Sequence, residues 1–419
     1  MRRGYQIAVS TLSVLTALLS SCSGGSANKN TPPPPVQSAP AIIDFGSSLQ
    51  TIRGFGGSSA WISNFSAAQA SSLFGTGSAQ QIGLSLLRVR IDPGGSANWA
   101  TELNNAQLAS GLGASILATP WTPPASMKSN NNTVAGSLNP SSYGAYANYL
   151  ESFVTYMQAG NVNLYAISMQ NEPDAVVTYE SCTWTGAQMD AWIAANASVL
   201  TTKLMMPESE SFQPAYSDPA LNDPNAVSHV AIVAGHIYGV APAVNATAAS
   251  LNKEVWMTEH YLSGTGITGA LALAKEVSDS MAVANYNAYL WWWLQNYPSG
   301  SYENGLLDEN NNITLNGYAL GQFSRFVRPG YVRSNATYNP QTSVYITAYH
   351  GNGHWVIVAL NLGTSDVTQP FTIQNQAITS MTPYQTSANE EMAQQPAVAL
   401  SGSAFSATLP AQSITTFVQ

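Results

Sequence analysis

Residues 165–174 read YAISMQNEPD. An apolar run closes on Asn171, Glu172, Pro173 and Asp174, so an amide and a carboxylate stand together where a buried strand should end. One explanation is a strand running into a Pro-Asp turn. The other is an acid held at the mouth of a parallel barrel. The choice depends on whether this unit stands alone, and it does not. Similar short runs occur at GFGGSSA (54–60), SLLRVR (85–90), SILATPW (115–121), KLMMPES (203–209), IVAGHIY (232–238), EVWMTEH (254–260) and NAYLWWW (287–293), making eight with YAISMQNE (165–172). Amphipathic stretches such as AYANYLESFVTYMQAG lie between them. Continuous apolar strands alternating with helical patterns predict parallel strands covered by helices. Eight such units over about 240 residues predict a (β/α)₈ barrel.

Barrel enzymes carry their chemistry at the C-terminal ends of the strands. Here those ends hold Trp61, Arg88, Trp121, Asn171 with Glu172, Glu208, His236 with Tyr238, Glu259, and the Trp291, Trp292, Trp293 run. Functional side chains recurring at one end of successive units favour the catalytic explanation. Glu172 and Glu259 close the fourth and seventh units, which lie across the mouth of a closed barrel. Two facing carboxylates suit glycoside hydrolysis, one giving a proton to the leaving oxygen and one attacking the anomeric carbon. Asn171 is placed to donate to a sugar 2-hydroxyl, and Tyr238 to donate to the nucleophile and favour its ionised form. Arg88, ending an apolar strand, is expected to pair with a catalytic acid. His236 has no partner in a metal-binding spacing, so a hydrogen-bonding role is expected and no metal. Strand alternation puts Trp291 and Trp293 on one face and Trp292 on the other, and the first two are assigned to sugar.

Composition narrows the setting. Only 8% of the 419 residues are charged, and 13 basic residues face 22 acidic ones for a formal net charge of −9. That balance excludes a nucleic-acid footprint and a basic membrane patch. The start, MRRGYQIAVSTLSVLTALLSSC, has two arginines, a short apolar run and Leu-Ser-Ser-Cys. It reads as a lipoprotein signal over residues 1–22 with Cys22 as the lipid attachment site, and residues 23–40, rich in Ser, Gly and Pro, as a spacer. The expected location is extracytoplasmic, anchored to a membrane only through that lipid or secreted. Cys182 is then alone in the mature chain and is expected to be a packed, inert thiol. GTGITG (264–269) matches a dinucleotide fingerprint, but the residues between Glu259 and the first Gly loosen the tight turn, so it reads as a Gly-rich loop and no cofactor is expected.

After residue 326 the pattern changes to alternating strands such as SVYITAYHG and HWVIVALNLG, which predict antiparallel sheet. The early segment 41–53 is expected to join them because sheet edges seek partners. The domains are therefore 41–53 and 329–419 for a β-sandwich side domain, and 54–328 for the barrel.

The segments IRGFGG, LLRVRID, ATPWTPPASM, NLYAISMQNEPD, GHIYG, EVWMTEHY, FSRFVRPGYVR and LPAQSITTFV, taken in order, resemble glycoside hydrolase family 30, in its bacterial xylanase branch. The resemblance implies a retaining enzyme with Glu172 as acid/base and Glu259 as nucleophile, on a barrel with an attached β side domain. It implies xylan or xylo-oligosaccharides as substrate, with Trp121, Tyr238, Tyr261, Trp291 and Trp293 at the sugar subsites; a monomer is expected. In the glucuronoxylan-specific members an arginine after the eighth strand grips the glucuronate. No Lys or Arg occurs here between Trp291 and Arg325, and Glu303, Asp308 and Glu309 occupy the loop. An endo-β-1,4-xylanase independent of glucuronate is expected. The alternatives are an exo-acting xylobiohydrolase, a glucuronoxylan-specific xylanase, a β-1,6-glucanase and a non-catalytic glycan-binding lipoprotein.

Overall fold

The computed structural model describes residues 39–296 and 304–419. Cys22, most of the spacer and Glu303 lie outside the described residues. Eight parallel strands close into a barrel: β2 (Gly54–Ser58), β3 (Leu86–Ile91), β4 (Ser115–Pro120), β5 (Leu164–Ser168), β6 (Lys203–Ser209), β7 (Val230–His236), β8 (Glu254–Glu259) and β9 (Ala288–Trp293). They correspond one to one with the eight apolar runs.

The two faces of each strand follow a period of two. On β3, Leu87, Val89 and Ile91 face outward into the core beneath the helices, while Leu86 joins the barrel interior. Leu86, Leu117, Ala166, Met205, Ile232, Trp256 and Leu290 fill that interior near the N-terminal end. The same alternation lifts Arg88 and Thr119 into the next layer, above this apolar plug, where Arg88 Nε donates to Thr119 Oγ1 at 3.2 Å. An arginine there must find anions, because an unpaired charge away from water is costly.

The register slips by one residue near the C-terminal ends of several strands. Pro207 pairs with Ala234 and Ser209 with Gly235, so Glu208 is skipped. Gly235 pairs with Met257 and His236 with Glu259, so Thr258 is skipped. Gly57 pairs with Trp291 and Ser58 with Trp293, so Trp292 is skipped. Such irregularities re-aim side chains at barrel rims. Simple alternation from Trp256 would turn Glu259 outward; the slip at Thr258 returns it to the barrel mouth.

The side domain is one ten-stranded sheet folded on itself. β1 (Ala41–Asp44) is followed, beyond the barrel, by β10 (Val332–Ala336), β11 (Val344–Gly351), β12 (His354–Asn361), β13 (Val367–Gln374), β14 (Ser380–Ser387), β15 (Glu390–Gln394), β16 (Val398–Ala399), β17 (Ala404–Leu409) and β18 (Ser413–Val418). The sheet is mixed rather than wholly antiparallel, because β1 pairs antiparallel with β10 but parallel with β13. A remote N-terminal segment inserted between two later strands is free to run in either direction. Phe371 on β13 and Phe405 on β17 pack on Phe417 of β18, with ring centroids 5.5 Å apart in both cases, closing a sandwich-like core. Two barrel helices, Gly266–Ala282 and Leu315–Ser324, meet this domain. Their ties include Thr416 Oγ1 donating to Gln322 O at 2.8 Å.

Candidate active site

Glu259 is the last residue of β8 and Glu172 lies in the loop four residues beyond β5. That loop is held by backbone bonds to the strands on either side: Asn171 N–H donates to Pro120 O at 2.8 Å, and Glu172 N–H donates to Glu208 O at 2.9 Å. Trp61, Glu172 and Glu208 adopt positive φ, at 59°, 42° and 54°. Left-handed backbone at non-glycine residues costs on the order of 1–3 kcal/mol each and gathers at functional sites.

Arg88 joins the two acids' surroundings into one network. Its Nη1 donates to Glu259 Oε2 at 2.6 Å, its Nε lies 3.2 Å from Glu208 Oε1, and its Nη2 donates to Asn171 Oδ1 at 2.6 Å. Because a guanidinium only donates, the Asn171 amide must present its oxygen to Arg88 and keep its NH₂ for another acceptor. Tyr238 Oη donates to Glu259 Oε1 at 3.0 Å. Both Glu259 oxygens are therefore fixed by donors. Burial is the largest influence on Glu259 and raises its carboxyl above the ordinary value; the His236 and Arg88 charges oppose that rise, and the Glu172 charge adds to it.

His236 Nδ1 lies 2.9 Å from Glu172 Oε1 and its Nε2 lies 3.8 Å from Glu208 Oε1. Burial disfavours its charged form, but Glu259, Glu172 and Glu208 outweigh that and hold the imidazole up at about 10. One oxygen each of Glu172 and Glu259 and one nitrogen of His236 lie within 4.8 Å of one another. A metal ion among them would meet a charged imidazole and the Arg88 guanidinium, so the donor set suits proton transfer better than ligation.

The two carboxylates open into a cleft of about 390 Å³. Trp61, Trp121, Tyr179, Tyr261, Trp292 and Trp293 form its aromatic walls. Trp121 packs between the Arg88 guanidinium, 4.7 Å from its ring, and the Trp61 ring, 5.0 Å away. Trp293 donates its Nε1–H to Ala60 O at 2.7 Å and stacks on Trp292 at 5.5 Å. Trp291 does not reach the cleft. It faces outward with Tyr289 into the helix-side core, and its Nε1–H donates to Asn304 O at 2.9 Å. The assignment of Trp291 to sugar is thus corrected: Ala288 and Leu290 define the inward face, Trp292 continues it, and the register slip brings Trp293 alongside.

Residues noted in the sequence only as strand ends, or not at all, also shape the site. Glu208 sits at its base, Trp61 on its rim, and Tyr179 and Glu210 on its wall. Burial, with the Glu172 and Asp174 charges, raises the Glu210 carboxyl. Continuing the Leu290 parity would have found Trp292; nothing local to the sequence singles out Tyr179. Cys182 is buried, and burial pushes its thiol up to about 11, as fits an inert packed group. Asp308 turns its carboxylate onto its own loop, accepting the Asn310 and Asn312 N–H groups at 2.8 Å.

One buried acid lies beneath the rim rather than in the cleft. Glu102, on the helix Ala100–Gly111, accepts from Ser59 Oγ at 2.5 Å and from Arg90 N–H at 3.2 Å, under the turn that carries Trp61. Burial raises its carboxyl to about 7 from 4.5. A carboxyl with a higher pKa when folded contributes stability below its unfolded pKa, and that contribution fades as pH rises through the folded one. The fade amounts to about 3 kcal/mol between pH 4.5 and 7. Glu102→Gln should therefore raise the thermal midpoint relative to wild type at pH 8 and give no gain at pH 4.5. Parallel pH profiles for the two proteins would contradict this.

A closed parallel barrel with two facing carboxylates in an aromatic cleft defines a glycoside hydrolase. The chain belongs to glycoside hydrolase family 30. The model of the glycosyl hydrolase family 30 TIM-barrel domain matches residues 99–267. The glucuronoxylanase XynC of Bacillus subtilis (strain 168) is 37% identical over 392 residues, covering 90% of both chains. Among solved structures, the family 30 subfamily 8 xylanase Xyn30A from Clostridium acetobutylicum has 44% identity and a TM-score of 0.86, over 90% of this chain and 99% of its own. A family 30 endoxylanase from Clostridium papyrosolvens C71 has 39% identity and a TM-score of 0.83, over 91% and 99%.

Proposed function

We propose that this chain is a retaining endo-β-1,4-xylanase that cleaves xylan by double displacement and does not require glucuronate substituents. The observation that carries the reading is the approach of the Glu172 and Glu259 carboxylate oxygens to within 4.8 Å across an aromatic cleft. That spacing accords with the roughly 5–5.5 Å separation of retaining pairs, whereas inverting pairs stand about 6.5–9.5 Å apart to admit a water. The xylanase relatives support the substrate class.

In the first step Glu259 attacks the anomeric carbon while Glu172 gives its proton to the departing oxygen. Arg88 and Tyr238 hold the attacking carboxylate in one orientation, so little rearrangement is needed. The free Asn171 NH₂ donates to the sugar 2-hydroxyl, where hydrogen bonds strengthen in the transition state. In the second step Glu172, now ionised, takes a proton from water, which attacks the glycosyl ester and releases Glu259. The aromatic walls stack on the apolar faces of the pyranose rings.

Independence from glucuronate is supported by the loop after β9, which carries no Lys or Arg in sequence and so lacks the bidentate partner that a carboxylate favours. Rates on linear, unsubstituted xylo-oligosaccharides should at least match those on glucuronate-bearing ones, with products of mixed length. A strong preference for glucuronoxylan, with the substituent at a fixed place in every product, would overturn that part. Export, lipidation at Cys22, membrane attachment through that lipid alone and a monomeric state complete the proposal. Mass spectrometry of the mature N-terminus tests the lipid, and sedimentation tests the monomer.

A further inference from the structure

Glu208 does not line the cleft, yet it lies directly beneath it among Thr119, Arg88 and His236. Its side chain is closed to solvent. Oε2 accepts from Thr119 Oγ1 at 3.0 Å, Oε1 lies 3.2 Å from Arg88 Nε and 3.8 Å from His236 Nε2, and its backbone carbonyl accepts the Glu172 N–H. The second ring nitrogen of His236, Nδ1, lies 2.9 Å from Glu172 Oε1. Nδ1 thus meets a carboxylate oxygen at hydrogen-bond distance, while the buried Nε2 faces Glu208 Oε1 at ion-pair distance with no hydrogen bond of its own. A neutral ring would turn a lone pair on one of them.

We propose that Glu208 is a positioning residue for the acid/base: it holds His236 as an imidazolium whose Nδ1–H is committed to Glu172 Oε1. The transferable proton of Glu172 is then confined to Oε2, where it is available to the leaving oxygen. Were His236 neutral with Nδ1 bare, Glu172 would donate its proton to the ring instead. The inference rests on the glycosidase reading of this site.

The surrounding charges agree. Arg88 from β3 and His236 from β7 supply two positive charges, and Glu208 from β6 and Glu259 from β8 supply two negative ones. Glu172, from the loop after β5, is the acid that meets them at the cleft, and the acid/base role requires it to carry a proton before the first step. Tyr238, beyond β7, is occupied with Glu259, while Asp174 and Glu210 stand near Glu172 with their carboxyls raised mainly by burial. Burial opposes the charge on Glu208, but Arg88 and His236 hold its carboxyl down at about 2.

The test compares Glu208→Gln with wild type on linear xylo-oligosaccharides and on a 2,4-dinitrophenyl xylobioside, whose leaving group needs no proton. The loss of kcat/KM should be at least tenfold greater on the oligosaccharides; equal losses on the two substrates would overturn the proposal. Should the variant fail to fold, ¹⁵N NMR of the wild-type histidine rings decides, since the chain has only five histidines to assign. His236 should carry both ring protons at pH 7 and up to pH 9. A neutral His236 ring at pH 7 would overturn the proposal. The NMR result stands whether or not the wild type cleaves xylan, so the two readings can fail separately.

Discussion

Glu259→Gln should lower kcat/KM on linear xylan on the order of 10⁴-fold or more, because an amide cannot form the glycosyl ester. The loss should be as large on activated aryl glycosides, since no leaving group substitutes for a missing nucleophile. Glu172→Gln should behave differently. On xylan it should cost roughly 10²–10⁴-fold, the usual worth of general acid catalysis, while the first step on dinitrophenyl glycosides should change little. The variant should then accumulate glycosyl-enzyme, because the general base for the second step is also gone. Stopped-flow measurement of dinitrophenolate release checks this directly. If both variants lost activity equally across leaving groups, the roles given to the two acids would be wrong.

Arg88→Met should destabilise the fold by about 3–5 kcal/mol, the range for breaking one side of a buried ion pair. Arg88 is fully buried among Glu208 at 3.2 Å, Glu259 at 2.6 Å and the Asn171 amide at 2.6 Å. Methionine keeps much of the side-chain length but leaves two carboxylates without their cation. Activity should also fall, because Glu259 loses the donor that orients it and becomes harder to ionise. Urea unfolding at pH 7 measures the effect; a loss below about 1 kcal/mol would mean the network carries less charge than the geometry implies.

The barrel was legible because each strand is a continuous apolar run between helical patterns, a signal that tertiary packing reinforces. The partners of Glu259 were legible for a related reason. Arg88 ends an apolar strand, so burial obliges it to meet an acid, and Tyr238 follows β7 on the side facing β8. Alternation failed where the register slips. Glu208 would point outward by simple counting from Met205, and only the skipped pairing and positive φ bring it beneath His236. In the Trp run Leu290 is the reference that places Trp291 outward and Trp292 inward, and the slip at Trp292 then brings Trp293 to the cleft as well, so alternation fails there too. The parallel pairing of β1 with β13 leaves no local mark at all, because strand direction is set by partners more than 280 residues away.

The most direct measurement is the anomeric configuration of the first products. Proton NMR during early hydrolysis of a linear xylo-oligosaccharide should show new reducing ends appearing as the β-anomer, with the α-anomer growing in only by mutarotation. Initial release of the α-anomer would contradict double displacement through Glu259 and with it the central claim.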